Sequence, residues 1–150
     1  MKDGDVIEGA GWRLEAVATP GHTANHMAYA FKEANVVLSG DHVMAWNTSM
    51  VAPPEGRMSD YMRSLEILMA RDERLFLPGH GGAIEEPRRM VKAYLLHRRW
   101  REQAILDAVR NETVTHIFVT HTHRDHSPAV PAVKAATGAL VLAEGPHRPS

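Results

Sequence analysis

Short β-prone runs alternate with stretches of helical periodicity along this chain, and that alternation restricts it to folds in which helices cover a sheet. Trp12 to Ala18 opens with alternating apolar and polar residues and stops at Thr19-Pro20-Gly21, as a strand entering a turn does. Met27 to Phe31 and Val36 to Leu38 repeat the pattern, with Lys32-Glu33-Ala34-Asn35 as the hairpin connection between them. Tyr61, Met62, Leu65, Leu68 and Met69 then fall at helical spacing, which predicts a helix over 59–70 with Ser59 as its N-cap. Leu75 to Leu77 reads as a short buried strand halted by Pro78-Gly79, and Pro87 suits the first turn of a long helix reaching about Asn111. Thr115 to Thr120 is a β-branched strand, Pro128 to Ala136 a helix, and Ala139 to Ala143 a last strand. The expected class is a layered α/β domain.

A chain of 150 residues, 44% hydrophobic, supports one compact domain with a core and is short for two. No repeat, low-complexity tract or linker interrupts it, so 1–150 is read as a single domain. The net charge of −1 provides no global field toward nucleic acid or an anionic membrane. With no cysteine there is no disulfide framework and no thiolate nucleophile, and any metal must be held by nitrogen and oxygen. The opening residues do not form a signal segment, and no apolar run approaches the roughly 20 residues of a membrane span. A soluble, cytoplasmic protein with no membrane partner is expected.

The chemistry concentrates in His121-Thr122-His123-Arg124-Asp125-His126, directly after the predicted strand ending at Thr120. Residues two apart on an extended backbone point the same way, so His121 and His123 are placed to present imidazoles to one ion. Asp125 and His126 follow in the turn, where the chain bends toward a second. Three distant stretches carry the same kinds of donor beside glycine: Thr19-Pro20-Gly21-His22-Thr23, Ser39-Gly40-Asp41 and Leu77-Pro78-Gly79-His80-Gly81. Glycine lets backbone approach closely where a Cβ would obstruct. Outside these stretches, His97, His116 and His147 read as surface histidines. His26 and His42, close in sequence to potential ligands, read first as packing or surface residues and second as supports of those ligands.

Together these four stretches resemble the HxHxDH, TPGHT, GD and PGHG motifs of the metallo-beta-lactamase superfamily. The resemblance implies an αββα sandwich and a binuclear zinc site, although the same donors accept iron or manganese. Carried over position by position, His121, His123 and His22 hold the first zinc, Asp125, His126 and His80 the second, and Asp41 bridges the two. Two Zn²⁺ ions outweigh two carboxylates, so a bridging water loses its proton and attacks an electrophilic carbon or phosphorus. Asp125 is the catalytic carboxylate expected to orient that nucleophile and shuttle the proton.

The run Tyr61-Met62-Arg63-Ser64-Leu65 and the later His97-Arg98-Arg99 with Arg101-Glu102-Gln103 are similar to the group containing a single-strand endoribonuclease, and to glyoxalase II relatives. This implies a small-molecule ester or thioester substrate, or a single-stranded nucleic acid. The basic residues of the long helix, Arg88, Arg89, Lys92, Arg98, Arg99 and Arg101, read first as a solvated face and second as a surface for RNA with Trp100 among them. A different class remains open: a non-catalytic, metal-stabilised scaffold or binding module derived from such a hydrolase.

The motif order departs from the family's. There HxHxDH comes first, whereas here blocks 1–103 and 111–150 are exchanged and the family's opening strands have no counterpart. A circular permutant, a truncation, or joined segments of a longer polypeptide would each produce this order. An open sheet edge would be covered by a second copy, giving a homo-oligomer or strand-swapped dimer, or by a further segment of a longer polypeptide.

Overall fold

The computed structural model describes residues 1–110, 113–119 and 130–143. Its elements are β1 (Val6–Gly9), β2 (Trp12–Ala18), β3 (Met27–Phe31), β4 (Val36–Gly40), α1 (Met58–Met69), β5 (Leu75–Pro78), α2 (Pro87–Arg110), β6 (His116–Val119), α3 (Val130–Thr137) and β7 (Leu140–Ala143). The mixed α/β class is as the sequence predicted. Two compact units divide the chain, Met1–Arg98 and Arg99–Ser150.

In the first unit, β1 to β5 form one sheet in chain order, with antiparallel pairs up to β4 and a parallel β4–β5 pair. The parallel pair requires a crossover, which α1 supplies. Opposed pairs Val17–Ala28, Ala30–Val37 and Val37–Phe76 set one face of the sheet. Onto that face Tyr61, Leu65 and Leu68 of α1 and Val91, Tyr94 and Leu95 of α2 pack as one buried cluster. The other face is apolar as well: Tyr29 opposes Leu38 and Leu38 opposes Leu77, yet Leu38 is 37% and Leu77 38% exposed.

Two local expectations are corrected. The N-cap of α1 is Arg57, with no side-chain cap, and Ser59 lies inside the first turn. The Arg57 amide donates to Gly21 O (2.9 Å), so a tertiary contact with the β2–β3 turn sets where the helix begins. The strand Val6–Gly9 was not anticipated; it pairs with β2 from Val6–Glu15 to Gly9–Trp12 although all four of its residues are exposed.

In the second unit β6 and β7 are parallel, His116 opposite Leu140 through Val119 opposite Ala143, with α3 between them in sequence. The αR run of α3 ends at Gly138, whose φ of +70° and amide bond to Lys134 O (2.8 Å) form a glycine C-terminal stop.

Candidate functional site

Strand direction assembles the site. β2 and β4 are both antiparallel to β3, and β5 is parallel to β4, so β2, β4 and β5 all end at one edge of the sheet. His22 follows β2, Asp41 follows β4 and His80 follows β5. The edge is drawn tight where the parallel pair ends, with the Gly79 amide donating to Gly40 O (2.8 Å). A β-carbon at Gly79 would lie 2.4 Å from Asp41 Oδ1, and one at Gly40, whose φ is +53°, would lie 2.7 Å from His26 Nε2. Glycine is required at both positions for Asp41 and His26 to sit where they do.

Three of the residues expected to hold metal are brought together. His22 Nε2 stands 3.9 Å from Asp41 Oδ2, and His80 Nε2 stands 3.5 Å from Asp41 Oδ1. Each imidazole faces a different oxygen of one carboxylate. Among the described residues no three His, Asp or Glu side chains form a group that could hold a metal ion. The remaining expected ligands, His121, His123, Asp125 and His126, lie outside the described residues.

The donor chemistry suits a cation. His22 Nδ1 is 2.6 Å from Met50 O, and a carbonyl only accepts, so Nδ1 carries a proton. Nε2, the other ring nitrogen, faces Asp41 Oδ2 at 3.9 Å, so either a proton on the imidazole or a cation between the two groups makes the pairing favourable.

Behind the ligands stands a shell of buried groups. The Asp41 amide donates to His26 Nε2 (3.2 Å), so the His26 proton sits on Nδ1 and goes to Thr19 Oγ1 (2.8 Å). Burial holds the His26 imidazole below the usual histidine range. His42 is fully buried, its Nε2–H donates to Tyr61 O (3.3 Å) and its ring lies 4.4 Å from that of Tyr61. Desolvation, with His26 adding to it, pushes His42 down to about 3. The loop after Asp41 is strapped down by Tyr61 Oη–H to His42 O (2.9 Å), Tyr94 Oη–H to Met44 O (2.6 Å) and Ser49 Oγ–H, shared between Asp41 O and His42 O. Burial pushes the Tyr94 phenol up to about 12.

Sequence reasoning placed His26 and His42 near this shell but missed Ser49, Met50 and Arg98. Met50 contributes a backbone carbonyl, which leaves no mark in residue type. Arg98 was grouped with a solvated basic face, whereas its guanidinium turns inward to Ser49 O (2.5 Å) and lies 5.5 Å from the centre of the Tyr61 ring. Its neighbours do pair at the surface, Arg88 with Asp72 and Arg89 with Glu86. His97 and His116 are exposed.

The fold is a five-stranded sheet backed by two helices, with histidines and a carboxylate gathered at one end of the strands. The chain belongs to the metallo-beta-lactamase superfamily, whose pattern matches residues 1–80. Members of this superfamily generally bind divalent metals such as zinc or iron and are usually hydrolytic. A beta-lactamase-like protein 2 homolog of Drosophila melanogaster is 42% identical over 102 residues, 67% of this chain and 32% of that protein. An atrochrysone carboxyl ACP thioesterase of Aspergillus fumigatus is 33% identical over 109 residues, 73% of this chain and 33% of that protein. Among solved structures, a metallo-beta-lactamase family protein from Thermus thermophilus superposes with a TM-score of 0.68 at 31% identity, covering 73% of this chain and 38% of that one. The chain spans about a third of the length of these curated relatives. Among the described residues no helix is long and apolar enough to cross a membrane.

Proposed function

We propose that this chain contributes the ligands of a two-metal hydrolase acting on a phosphodiester or on an ester or thioester. In this reading His121, His123 and His22 hold one zinc ion, Asp125, His126 and His80 hold the other, and Asp41 is shared. The observation that carries it is that His22 Nε2 and His80 Nε2 each face a different oxygen of Asp41. Two bound divalent ions supply an acidified water at neutral pH and positive charge opposite a developing oxyanion.

The chain's own residues do the rest. Met50 O keeps the His22 proton on Nδ1, which leaves Nε2 free as a donor. The Gly79 and Gly40 backbones hold Asp41 between the two imidazoles. Asp125 receives the proton released during attack and returns it to the leaving group. The thioesterase among the relatives supports the ester arm. The exposed Trp100 and the basic stretch of α2 support the single-stranded nucleic acid arm.

The test is metal content followed by turnover of a generic phosphodiester, a thioester and a chromogenic lactam, before and after chelation. Two equivalents of zinc with chelator-sensitive cleavage of the first or second substrate is the expected result. Zinc retained without turnover of any of the three would replace the hydrolase by a metal-stabilised scaffold. No zinc bound by the wild-type chain would remove both.

A further inference from the structure

The Ser49–Met50 dipeptide touches both halves of the ligand edge and is itself held from α2. Ser49 Oγ caps the carbonyls of Asp41 and His42. The Ser49 carbonyl accepts from Arg98 Nη2, and the next carbonyl, Met50 O, accepts from His22 Nδ1. The connection therefore runs Arg98, Ser49, Met50, His22, with Asp41 tied to the same serine. We propose that Arg98 is a positioning residue of the His22–Asp41–His80 site, fixing the protonated nitrogen and the aim of His22 through the Ser49–Met50 backbone.

Three observations favour this over a purely stabilising role. First, Arg98 Nε is buried without a partner among the described residues, and a guanidinium with an orphaned donor is a poor source of net stability. Second, the guanidinium lies over the Tyr61 ring, a preorganised seat for a planar cation that a flexible ammonium fills less well. Third, Met50 is itself 56% exposed, so the aim of its carbonyl is set by its chain neighbours, Ser49 on one side and Val51, packed against the core, on the other. A freely turning Met50 carbonyl would let the His22 proton move to Nε2, and an imidazole protonated at Nε2 offers no lone pair in the direction of Asp41.

The proposal rests on the metal-site reading above, and its test separates the two. Wild type, Arg98→Met and Arg98→Lys are compared as the full chain in three measurements: zinc titration calorimetry, long-range ¹H–¹⁵N spectra of the His22 ring in the chelated protein, and thermal unfolding with chelator present. The expected result is an Nδ1-protonated His22 in the wild type and a mixture of tautomers in Arg98→Met. Zinc affinity should drop about 10- to 100-fold, the range for loss of a ligand's supporting partner, and Arg98→Lys should recover part of it. If Arg98→Met does not fold, Arg98→Lys alone provides the comparison, and partial tautomer mixing in it supports the proposal. An unchanged His22 tautomer with unchanged zinc affinity in the folded variants overturns the proposal and leaves the site intact. Wild-type protein that binds no zinc overturns the site itself.

Discussion

Gly79 has no room for a β-carbon, and the atom in the way is the tip of the Asp41 side chain. A carboxylate swings aside at little expense to the fold, but it then no longer stands between His22 and His80. Gly79→Ala is therefore expected to leave urea stability within about 1 kcal/mol of wild type while weakening zinc binding at least about tenfold, as read by denaturation and calorimetry on one preparation. His42 makes a prediction of a different kind. The folded chain keeps its imidazole neutral down to about 3, whereas the unfolded chain takes up that proton near an ordinary 6.5. Between those values the unfolded state binds more protons, so the stabilisation is fully present above about pH 6.5 and is lost as the pH falls toward 3. Glu15, lowered chiefly by its bond to Lys32, adds a loss of the same sign at still lower pH. Urea midpoints of the chelated protein, measured by far-ultraviolet circular dichroism, should fall steadily across this window.

At the scale of elements, the docking of α1 on the β2–β3 turn is the joint most sensitive to a small change. Gly21 has a φ of +136°, and a β-carbon there would lie 2.2 Å from Tyr61 Cα, a backbone atom that cannot yield without moving the helix. Gly21→Ala should lose more than about 2 kcal/mol in denaturant unfolding. Gly82→Ala, with nothing within 4 Å of the added carbon, should stay within about 0.5 kcal/mol. This joint also explains what was readable in advance. The strands from β2 to β5 and the three helices announce themselves through periodicity and through Pro and Gly punctuation, because their apolar positions are local signals. The start of α1 does not, because Gly21 O, 36 residues upstream of Arg57, selects it. β1 is silent for another reason: a four-residue strand with no buried position carries no burial pattern to read. The gathering of His22, Asp41 and His80 was legible from the motifs, while the proton on His22 Nδ1 depends on a main-chain oxygen that any residue at position 50 would supply.

Across the molecule, the sheet of the first unit has two apolar faces, and the helices of that unit cover only one of them. Leu38 and Leu77 oppose each other on the other face and are each more than a third exposed, with Trp12 and Ile7 exposed to a similar degree. Contiguous apolar surface of this kind promotes association in water. Sedimentation velocity should show concentration-dependent self-association of the chain, and Leu38→Lys with Leu77→Lys should shift it toward the monomer. A wild-type monomer at every concentration would show that this face attracts no second copy.

The parallel pairing of β4 with β5 has a lasting consequence. Asp41 and His80 are neighbours because a main-chain ladder ends beside both of them, so the intervening crossover does not set their spacing. Residues around Pro53 to Gly56 are therefore at liberty to lengthen, shorten or change character while the spacing of Asp41 and His80 stays the same. Variation can accumulate in that segment without moving the carboxylate away from the imidazole beside it.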